Sequence, residues 1–175
     1  MADYGLLAKQ IVSLAEVDAH WLPVLSNAAA LLWDALDDIN WAGFYLVDPT
    51  TVTGAVPGAG AAPSAHELCT PELRLGPFQG KVACVRIPFG RGVCGTATAT
   101  KTSQLVEDVH QFPGHIACDS ASNSEVVVPI FKDGQVVGVL DIDSPNVARF
   151  TQADLAGLEQ VVKALESCTN FSAFC

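Results

Sequence analysis

Three of the six cysteines of this 175-residue chain lie within one segment, residues 81–118. These three are Cys84, Cys94 and Cys118, and basic residues, a glycine-rich turn and two histidines lie among them. Cysteines grouped in this way, in a chain that we expect to lack an export signal, indicate thiol chemistry more than structural cross-linking. We therefore predict that this segment brings reactive thiols to a site.

Three carboxylates downstream of the cysteines, Glu125, Asp141 and Asp143, lie in a run of apolar strands. Asp141 and Asp143 alternate with Ile142, so both side chains lie on the same face of their strand. Two neighbouring carboxylates repel each other unless a cation lies between them or they share a proton. A solvated strand end is the simpler interpretation, but the apolar Leu140 and Ile142 place the pair beside the core and favour a ligand site. We predict that thiols and carboxylates line one pocket.

The composition excludes several classes of function. Half of the residues are hydrophobic, 16% are charged and the net charge is −10, which suits a folded domain and argues against binding to nucleic acid. The N-terminus lacks the features of a signal peptide, and we expect no membrane span. We therefore expect a cytoplasmic protein without nucleic-acid or membrane partners. Its cysteines would begin as thiols, which disfavours a scaffold of structural disulfides.

The first third of the chain predicts two helices and a strand. Apolar residues recur at spacings of three and four over residues 5–18 and again over residues 20–38, as in amphipathic helices. Residues 40–47 are rich in aromatic and β-favouring types and predict the first strand, with Trp41 and Tyr45 on one face. Those two side chains either belong to the core or form the wall of a ligand pocket.

The middle of the chain mixes turns with short elements. Residues 49–67 are rich in Pro, Gly and Ala and predict a flexible loop. Cys94 follows a glycine-rich turn that opens a short helix, and a helix N-terminus lowers the pKa of a nearby thiol. Cys118 precedes a polar run, which favours an accessible thiol. Cys84 lies inside a predicted strand, with Arg86 on the same face. The strands predicted here are residues 68–75 and 81–88, with a connecting turn at residues 76–80.

The C-terminal half predicts an antiparallel arrangement. A Lys-Asp-Gly turn joins two apolar strands, which is a hairpin signal. Thr151 is a favourable N-cap for the last helix, which we expect to end near residue 165. The tail, residues 166–175, is expected to be frayed, with its cysteines as spectators. Because hairpins dominate and no βαβ repeat occurs, the sequence predicts a single α+β domain over residues 1–175 with an antiparallel sheet. The strands predicted in this half are residues 104–107, 125–131 and 135–143.

A metal centre is not predicted from the spacing of the cysteines. Zinc sites usually show paired ligands two to four residues apart, and no two cysteines are spaced in this way. The two histidines near Cys118 are expected to shape its loop or to tune the pKa of its thiol. No bound cofactor is expected either.

Five stretches of the chain together closely resemble the free methionine-(R)-sulfoxide reductases, a family of GAF-domain enzymes. They read NWAGFYL, LGPFQGKVACVRIPFGRGVCGTA, LVEDVHQFPGHIACDSASNSE, VPIFKDGQVVGVLDIDSP and RFTQAD, and the resemblance covers roughly residues 20–165. The long loop at residues 49–67 and the cysteine-containing tail depart from the family pattern. The resemblance implies a GAF domain in which a six-stranded antiparallel sheet carries helices on one side and a loop-covered pocket on the other. It also implies a homodimer.

The resemblance implies reduction of the free R epimer of methionine sulfoxide to methionine, as a defence against oxidative stress, with thioredoxin restoring the thiols. A sulfoxide sulfur becomes electrophilic when its oxygen is protonated, so the site needs a thiolate and an acid. The family pattern assigns the attack to Cys118 and the resolution of its sulfenic acid to Cys84. Cys94 is the third family cysteine. It is either an alternative partner in disulfide exchange or a competitor for the nucleophile's role.

The acidic pocket residues of the family correspond to Glu125, Asp141 and Asp143. We expect Asp143 and Glu125 to hold the proton for the sulfoxide oxygen and Asp141 to bind the substrate ammonium, although the reverse assignment fits the sequence equally well. Trp41 and Tyr45 correspond to an aromatic wall for the methyl-sulfur end of the substrate. The competing hypothesis is a non-catalytic GAF domain that binds a small molecule or reports oxidation through a disulfide.

Overall fold

A computed structural model of the chain describes residues 2–48, 71–116 and 119–173. Its strands are β1 Trp41–Val47, β2 Glu72–Gly80, β3 Arg86–Pro88, β4 Gln104–Val106, β5 Ser124–Lys132 and β6 Gln135–Ser144. Its helices are α1 Tyr4–Ala15, α2 Trp21–Ala35, α3 Gly92–Thr100 and α4 Gln152–Cys168, with short 3-10 turns at Val109–Gln111 and Phe171–Ala173. The six strands form one antiparallel sheet in the order β3-β2-β1-β6-β5-β4.

Helices α1, α2 and α4 cover one face of the sheet, and their apolar stripes explain why. The stripe of α1 buries Leu7 and Ile11, and that of α2 buries Leu25 and Leu32 in the same core. Full burial of side chains of this size stabilises a fold by roughly 1.5–3 kcal/mol each before entropy is counted. The predicted N-terminal helices are confirmed, although α1 is shorter than its apolar pattern indicates.

Strand β1 is buried on both faces because the sheet has a packed layer on each side. Ala42, Phe44 and Leu46 belong to the core beneath the helices. Trp41 and Tyr45 lie on the opposite face, in a second apolar cluster. Helix α3 also packs on this second face. The predicted layering is therefore confirmed for α1, α2 and α4, whereas α3 lies on the side of the predicted pocket.

The segment predicted as a turn, residues 76–80, is instead the second half of strand β2. It pairs with the start of β1, where Trp41 lies opposite Gly80, so its backbone groups have partners in the sheet. In the described ladder β3 pairs with β2 at residues 72–74. Pro77 lies beyond that pairing, at an edge of the sheet, where a residue without an N–H group is tolerated.

Cys84 consequently lies outside the strands. Residues 81–85 have an irregular conformation, and the predicted strand over residues 81–88 is wrong except for β3. The guanidinium of Arg86, expected on the same face as the thiol, lies 3.2 Å from the carboxylate of Glu72. Arg86 therefore forms an ion pair with strand β2.

The C-terminal segment differs from the expected frayed tail. Helix α4 begins at a capping box in which Thr151 and Asp154 exchange hydrogen bonds, as the N-cap prediction implies, and it continues for 17 residues. Beyond the helix, the N–H of Asn170 donates to the carbonyl of Ala19 at 2.7 Å. Phe171 is fully buried in the core. Asn170 and Phe171 therefore contribute to the packing of the helical layer.

The hairpin predicted between the two apolar strands is confirmed. Asp133 and Gly134 join β5 to β6 with φ values of 50° and 77°, a left-handed conformation that Asp and Gly tolerate well. The predicted loop at residues 49–67 lies outside the described residues. Within the described ranges, none of the helices combines the length and the apolar character needed to cross a membrane.

Candidate active site

The register of the central strands brings the three predicted carboxylates together. In the β5–β6 pair Glu125 lies opposite Asp143, and in the β1–β6 pair Asp143 lies opposite Trp41. Directly opposed side chains on one face have Cβ atoms about 4.5–5.5 Å apart. Asp141 precedes Asp143 by two positions and so has the same orientation. Alternation and register therefore gather all three carboxylates on the face opposite the three helices.

Trp41 and Tyr45 form an aromatic wall beside the carboxylates. The Trp41 ring stacks on Tyr45, with ring centroids 5.7 Å apart, and on Phe78, with centroids 5.3 Å apart. Gly43 makes room for this stack, because a Cβ there would lie 2.7 Å from the Trp41 ring and 2.3 Å from the Cβ of Phe78. Trp41 and Tyr45 belong to the second apolar cluster and also line the cleft. They are therefore both core residues and part of a cleft wall, the two alternatives that the sequence left open.

Helix α3 supplies Cys94 from its first turn, where the Sγ atom lies 3.9 Å from Glu125 Oε1. The helix packs closely because a Cβ at Gly95 would lie 2.3 Å from the Pro88 carbonyl oxygen. Burial, followed by the charges of Asp141 and Glu125, raises the pKa of the Cys94 thiol well above its ordinary value. The predicted lowering of this pKa is therefore wrong. A helix N-terminus contributes only about 0.3–1 kcal/mol, which does not offset burial beside carboxylates.

The three carboxylates hold protons that isolated carboxylates would release. Burial raises the pKa of Asp141 from 3.8 to about 7, against the lowering effect of hydrogen bonds with Cys94 and Glu125. Burial and then the charge of Asp141 raise the pKa of both Glu125 and Asp143 well above their ordinary values. The cluster therefore offers acidic protons at neutral pH.

Polar side chains that the sequence analysis missed hold the outer edge of the cluster. The side-chain amide of Asn40 donates to Ser122 Oγ at 3.0 Å and to Asp119 Oδ2 at 3.2 Å. Ser122 in turn hydrogen-bonds to Asp143 and opposes the rise of its pKa. Alternation along β1 would group Asn40 with Ala42 on the other face, so no pattern in the sequence pointed to it.

One of the two histidines named from the sequence reaches the cleft. His115 Nε2 lies 4.0 Å from Glu125 Oε2. Burial, and then the charge of His110, lowers the pKa of His115, so its imidazole is neutral at pH 7. The expected influence of these histidines on Cys118 stays a prediction, because Cys118 lies outside the described residues.

The cysteines of the described ranges are in different states. Cys84 is disulfide-bonded, whereas Cys94 is a buried free thiol. Cys168 is also free and packs against the core from the last turn of α4, on the face away from the carboxylates. The predicted place of Cys118 beside the carboxylates stays a prediction.

These groups surround one cleft. It contains about 510 Å³ of space between atoms, the open solvent at its mouth included. Carboxylates form its floor, the aromatic stack forms one wall, and the start of α3 forms another. Six of the predicted site residues line it, namely Trp41, Tyr45, Cys94, Glu125, Asp141 and Asp143.

A family model described as the GAF domain matches residues 9–168. The free methionine-R-sulfoxide reductase of Escherichia coli strain K12 is 49% identical over 163 residues, which cover 93% of this chain and 86% of that protein. This chain belongs to the free methionine-(R)-sulfoxide reductases of the GAF-domain family. Two solved structures of reductases agree with this placement. The fRMsr of Staphylococcus aureus in its reduced form has a TM-score of 0.81 at 49% identity, and the alignment covers 97% of both chains. The free methionine-R-sulfoxide reductase of Neisseria meningitidis, in complex with its substrate, has a TM-score of 0.79 at 43% identity over 94% of this chain and 86% of that chain.

The reductase family inferred from the five stretches is thus confirmed, as is the α+β GAF fold with its six-stranded antiparallel sheet. The matched residues, 9–168, extend beyond the predicted core of residues 20–165 at both ends. They take in part of α1 and the last turn of α4, which agrees with the packing of both helices in the core.

Proposed function

We propose that this reductase-family protein converts free L-methionine (R)-sulfoxide and two thiols into L-methionine, a disulfide and water. The buried carboxylate cluster is the observation that supports this most directly. Beside an aromatic wall, burial raises the pKa values of Glu125 and Asp143 well above their ordinary range, and a sulfoxide is a weak electrophile until its oxygen is protonated. The names of the relatives indicate the same reaction.

In the first step, the thiolate of Cys118 attacks the sulfoxide sulfur while a cleft acid protonates the oxygen. The oxygen passes to Cys118 as a sulfenic acid, and methionine leaves. The substrate sulfur gains two electrons, and the sulfur of Cys118 loses two. We assign the proton to Glu125 and Asp143, whose pKa values lie well above the ordinary range. Cys94 is a poorer candidate for the attack because its raised pKa keeps it a thiol.

In the second step, the thiolate of Cys84 attacks the sulfenic sulfur of Cys118, so that an S–S bond forms and the hydroxyl leaves as water. The disulfide-bonded state of Cys84 and the free thiol of Cys94 support this division of roles. Cys94 would then serve as an alternative partner in disulfide exchange. We propose thioredoxin as the electron donor that returns the pair to thiols, and a cytoplasmic homodimer active against oxidative stress, as the family resemblance implies.

The cleft suits a free amino acid. Asp141 Oδ1 is buried and has no hydrogen-bond partner among the described groups, so it offers an acceptor to the substrate ammonium. The aromatic stack of Trp41 and Tyr45 offers an apolar surface to the methyl-sulfur end, where contact between sulfur and ring is favourable. A methionine inside a polypeptide has no ammonium for Asp141 and carries chain on both sides, so we propose that it is excluded.

A turnover assay with a thiol reductant tests the proposal. Four substrates are offered separately, the R and S epimers of free methionine sulfoxide and each epimer within a peptide. The wild type is compared with Cys118→Ser, Cys84→Ser and Cys94→Ser. We expect turnover of the free R epimer and its loss in Cys118→Ser. In a single turnover without added thiol, a sulfenic acid should persist in Cys84→Ser, detected as a mass increase of one oxygen atom.

The possible results separate the parts of the proposal. Loss of activity in Cys94→Ser with retention in Cys118→Ser would keep the reaction and reverse the two cysteines. Turnover of the peptide substrates would contradict the assignment of Asp141 to the ammonium. No turnover of any sulfoxide would favour a ligand-binding GAF domain without catalysis.

A further inference from the structure

Three side chains of types that commonly bind metal ions come from three different elements and meet inside the cleft. Cys94 Sγ on α3 and one carboxylate oxygen each of Glu125 on β5 and Asp141 on β6 lie within 4.8 Å of one another, and all three residues are buried. The ligand atoms of a tetrahedral zinc site, with bonds of about 2.0–2.3 Å, lie roughly 3.3–3.8 Å apart. The 3.9 Å between Cys94 Sγ and Glu125 Oε1 is close to that value. Small side-chain rotations would therefore bring the three donors around a single ion.

An unpartnered oxygen of Asp141, the one proposed above to accept the substrate ammonium, is a second observation that points to a missing cation. Asp141 is only 6% exposed, and its Oδ1 atom is buried without a hydrogen-bond partner among the described groups. A buried carboxylate oxygen in this condition is costly, because it has lost water and gained no donor in return. A cation bound at this point would satisfy the oxygen and reduce the repulsion among the neighbouring acidic groups.

The geometry points to a site for one thiophilic divalent cation of the zinc type, bound by Cys94 Sγ and one oxygen each of Glu125 and Asp141, with water as the fourth ligand. The donor set decides the class of metal. Mg²⁺ and Ca²⁺ prefer six or more oxygen ligands, whereas a thiolate with two carboxylate oxygens suits zinc and its chemical relatives. Each bond displaces the proton that its ligand held, so the thiol proton and the carboxyl protons pass to solvent as the ion binds.

Ligand spacing along the chain does not reveal such a site. Cys94 and Glu125 are 31 residues apart and come from a helix and a strand, whereas common structural zinc motifs hold ligands within one turn or hairpin. The fold supplies the proximity instead, through the packing of α3 against β5 and β6. The prediction against a metal, made from the spacing of the cysteines alone, does not apply to a mixed thiol and carboxylate site.

The site has a consequence for catalysis that rests on the proposed function. Glu125 and Asp141 would hold the cation with the same oxygens that would otherwise serve the proton transfer and the substrate ammonium. The cation and methionine sulfoxide therefore exclude each other, and zinc would act as a competitive inhibitor that raises KM without changing kcat.

Direct binding to the disulfide form of the full chain tests the site without measuring activity. Cys69, Cys168 and Cys175 are replaced by serine in every sample, so that thiols elsewhere do not bind metal. Equilibrium dialysis with Zn²⁺ gives the stoichiometry and affinity, and absorbance with Co²⁺ reports a thiolate-to-metal charge-transfer band. We expect one ion per chain and a clear band. Cys94→Ser should abolish the band, and both Cys94→Ser and Asp141→Asn should weaken binding by at least about 100-fold, the upper end of losses for outer-shell partners.

Asp119→Asn is the matched control, because it removes one negative charge at the mouth of the cleft and none of the three ligands. We expect its affinity for Zn²⁺ to stay within about 3-fold of the parent protein, since solvent screens an outer charge. Circular dichroism confirms that each variant is folded. The site is excluded if the parent chain binds no ion, if the band persists in Cys94→Ser, or if Asp119→Asn weakens binding as much as Asp141→Asn. Activity is assayed separately in metal-free buffer, so failure of this proposal and failure of the proposed function are distinguishable.

Discussion

The two faces of the sheet are built from alternate residues of the same strands, but they have different roles. On the helix side, β1 contributes Ala42, Phe44 and Leu46, each at most 2% exposed, to an apolar core. On the cleft side, β1 contributes its aromatic wall, and β6 contributes Asp141 and Asp143. The first face gains stability from apolar burial. The second buries ionisable groups, which costs stability and prepares them for chemistry.

Two buried aspartates show the difference most clearly. Burial alone would raise the pKa of Asp154 on the helix side. Hydrogen bonds from Tyr4 at 2.7 Å and from Thr151, together with the nearby Arg149, lower it overall. On the cleft side, burial dominates and raises the pKa of Asp141 to about 7. Burial is common to both carboxylates, so the hydrogen-bond donors and the positive charge of Arg149 beside Asp154 account for the opposite directions of the two pKa shifts.

The largest effect on kcat is expected from a substitution that removes a proton donor of the cleft and leaves the apolar core intact. Glu125→Gln keeps the size of the side chain but cannot deliver a proton, so kcat for the free R sulfoxide should fall about 10²–10⁴-fold. The Tm should not fall, because burial raises the pKa of Glu125 well above its ordinary value and the amide then replaces a carboxyl group that is already neutral. Steady-state kinetics and thermal unfolding measure the two quantities. Glu159→Gln, the same change on the helix side, should leave kcat unchanged.

One result would contradict the view that the cleft face serves chemistry and the helix face serves stability. If Glu125→Gln lowers the Tm more than Glu159→Gln does, with kcat preserved, then Glu125 serves packing and not proton transfer. A variant that loses kcat and keeps its Tm supports the division.

The converse experiment removes a core side chain and leaves the cleft intact. Phe44 is completely buried beneath the helices, so Phe44→Ala should lower the free energy of unfolding by about 3–5 kcal/mol. Urea denaturation measures this loss, and Phe44→Leu, which leaves a smaller cavity, should lose less. At temperatures where the variant is folded, kcat should match the wild type because Phe44 points away from the cleft. A fall in kcat comparable to that of Glu125→Gln would show that the two faces are coupled.

The sequence predicted the elements whose signals are local. The apolar periods of α1 and α2, the Asp133–Gly134 hairpin and the Thr151 cap are confirmed because each depends on residues close together in the chain. The turn at residues 76–80 is wrong because Gly and Pro normally interrupt a strand, whereas here pairing with β1 overrides that preference. Long-range pairing leaves no local signal.

The site shows the same division between local and long-range information. Alternation predicted that Asp141 and Asp143 share a face, and the cross-strand register then brings Glu125 beside them. The raised pKa of Cys94 was not predictable, because the helix N-terminus is visible in sequence but the carboxylates that oppose it come from other strands. Asn40 was missed because its hydrogen bonds connect to the distant residues Asp119 and Ser122.

A smaller effect is expected from the glycine that lets the aromatic wall form. In Gly43→Ala the new Cβ would lie 2.3 Å from the Cβ of Phe78 and 2.7 Å from the Trp41 ring, so the stack must shift. Overpacking of this kind typically costs about 1–3 kcal/mol, and we expect a higher KM as the wall moves. Gly5→Ala on α1 is the control, because the atom nearest to its new Cβ would be 3.4 Å away and alanine favours a helix. Equal KM values in the two variants would show that the aromatic wall does not contribute to substrate binding.

The prediction that compares the two faces most directly is the pH dependence of stability. The pKa of Asp141 is raised from 3.8 to about 7 on folding, so the native state binds more protons than the unfolded state across that window and loses stability as pH rises through it. Asp141→Asn removes this loss. Its Tm should equal that of the wild type near about pH 4 and exceed it by roughly 10 °C above about pH 7, since about three pKa units correspond to about 4 kcal/mol and each 1 kcal/mol to roughly 2–4 °C at this chain length. The pKa of Asp154 is lowered, so its stabilisation is present above pH 3.8 and is lost as pH falls through its folded-state pKa. Asp154→Asn should therefore lower the Tm at neutral pH and approach the wild type only in acid. If the Tm of Asp141→Asn changes with pH in parallel with that of the wild type, then burial of the Asp141 carboxylate does not destabilise the fold. The two faces would then differ only in how their side chains pack.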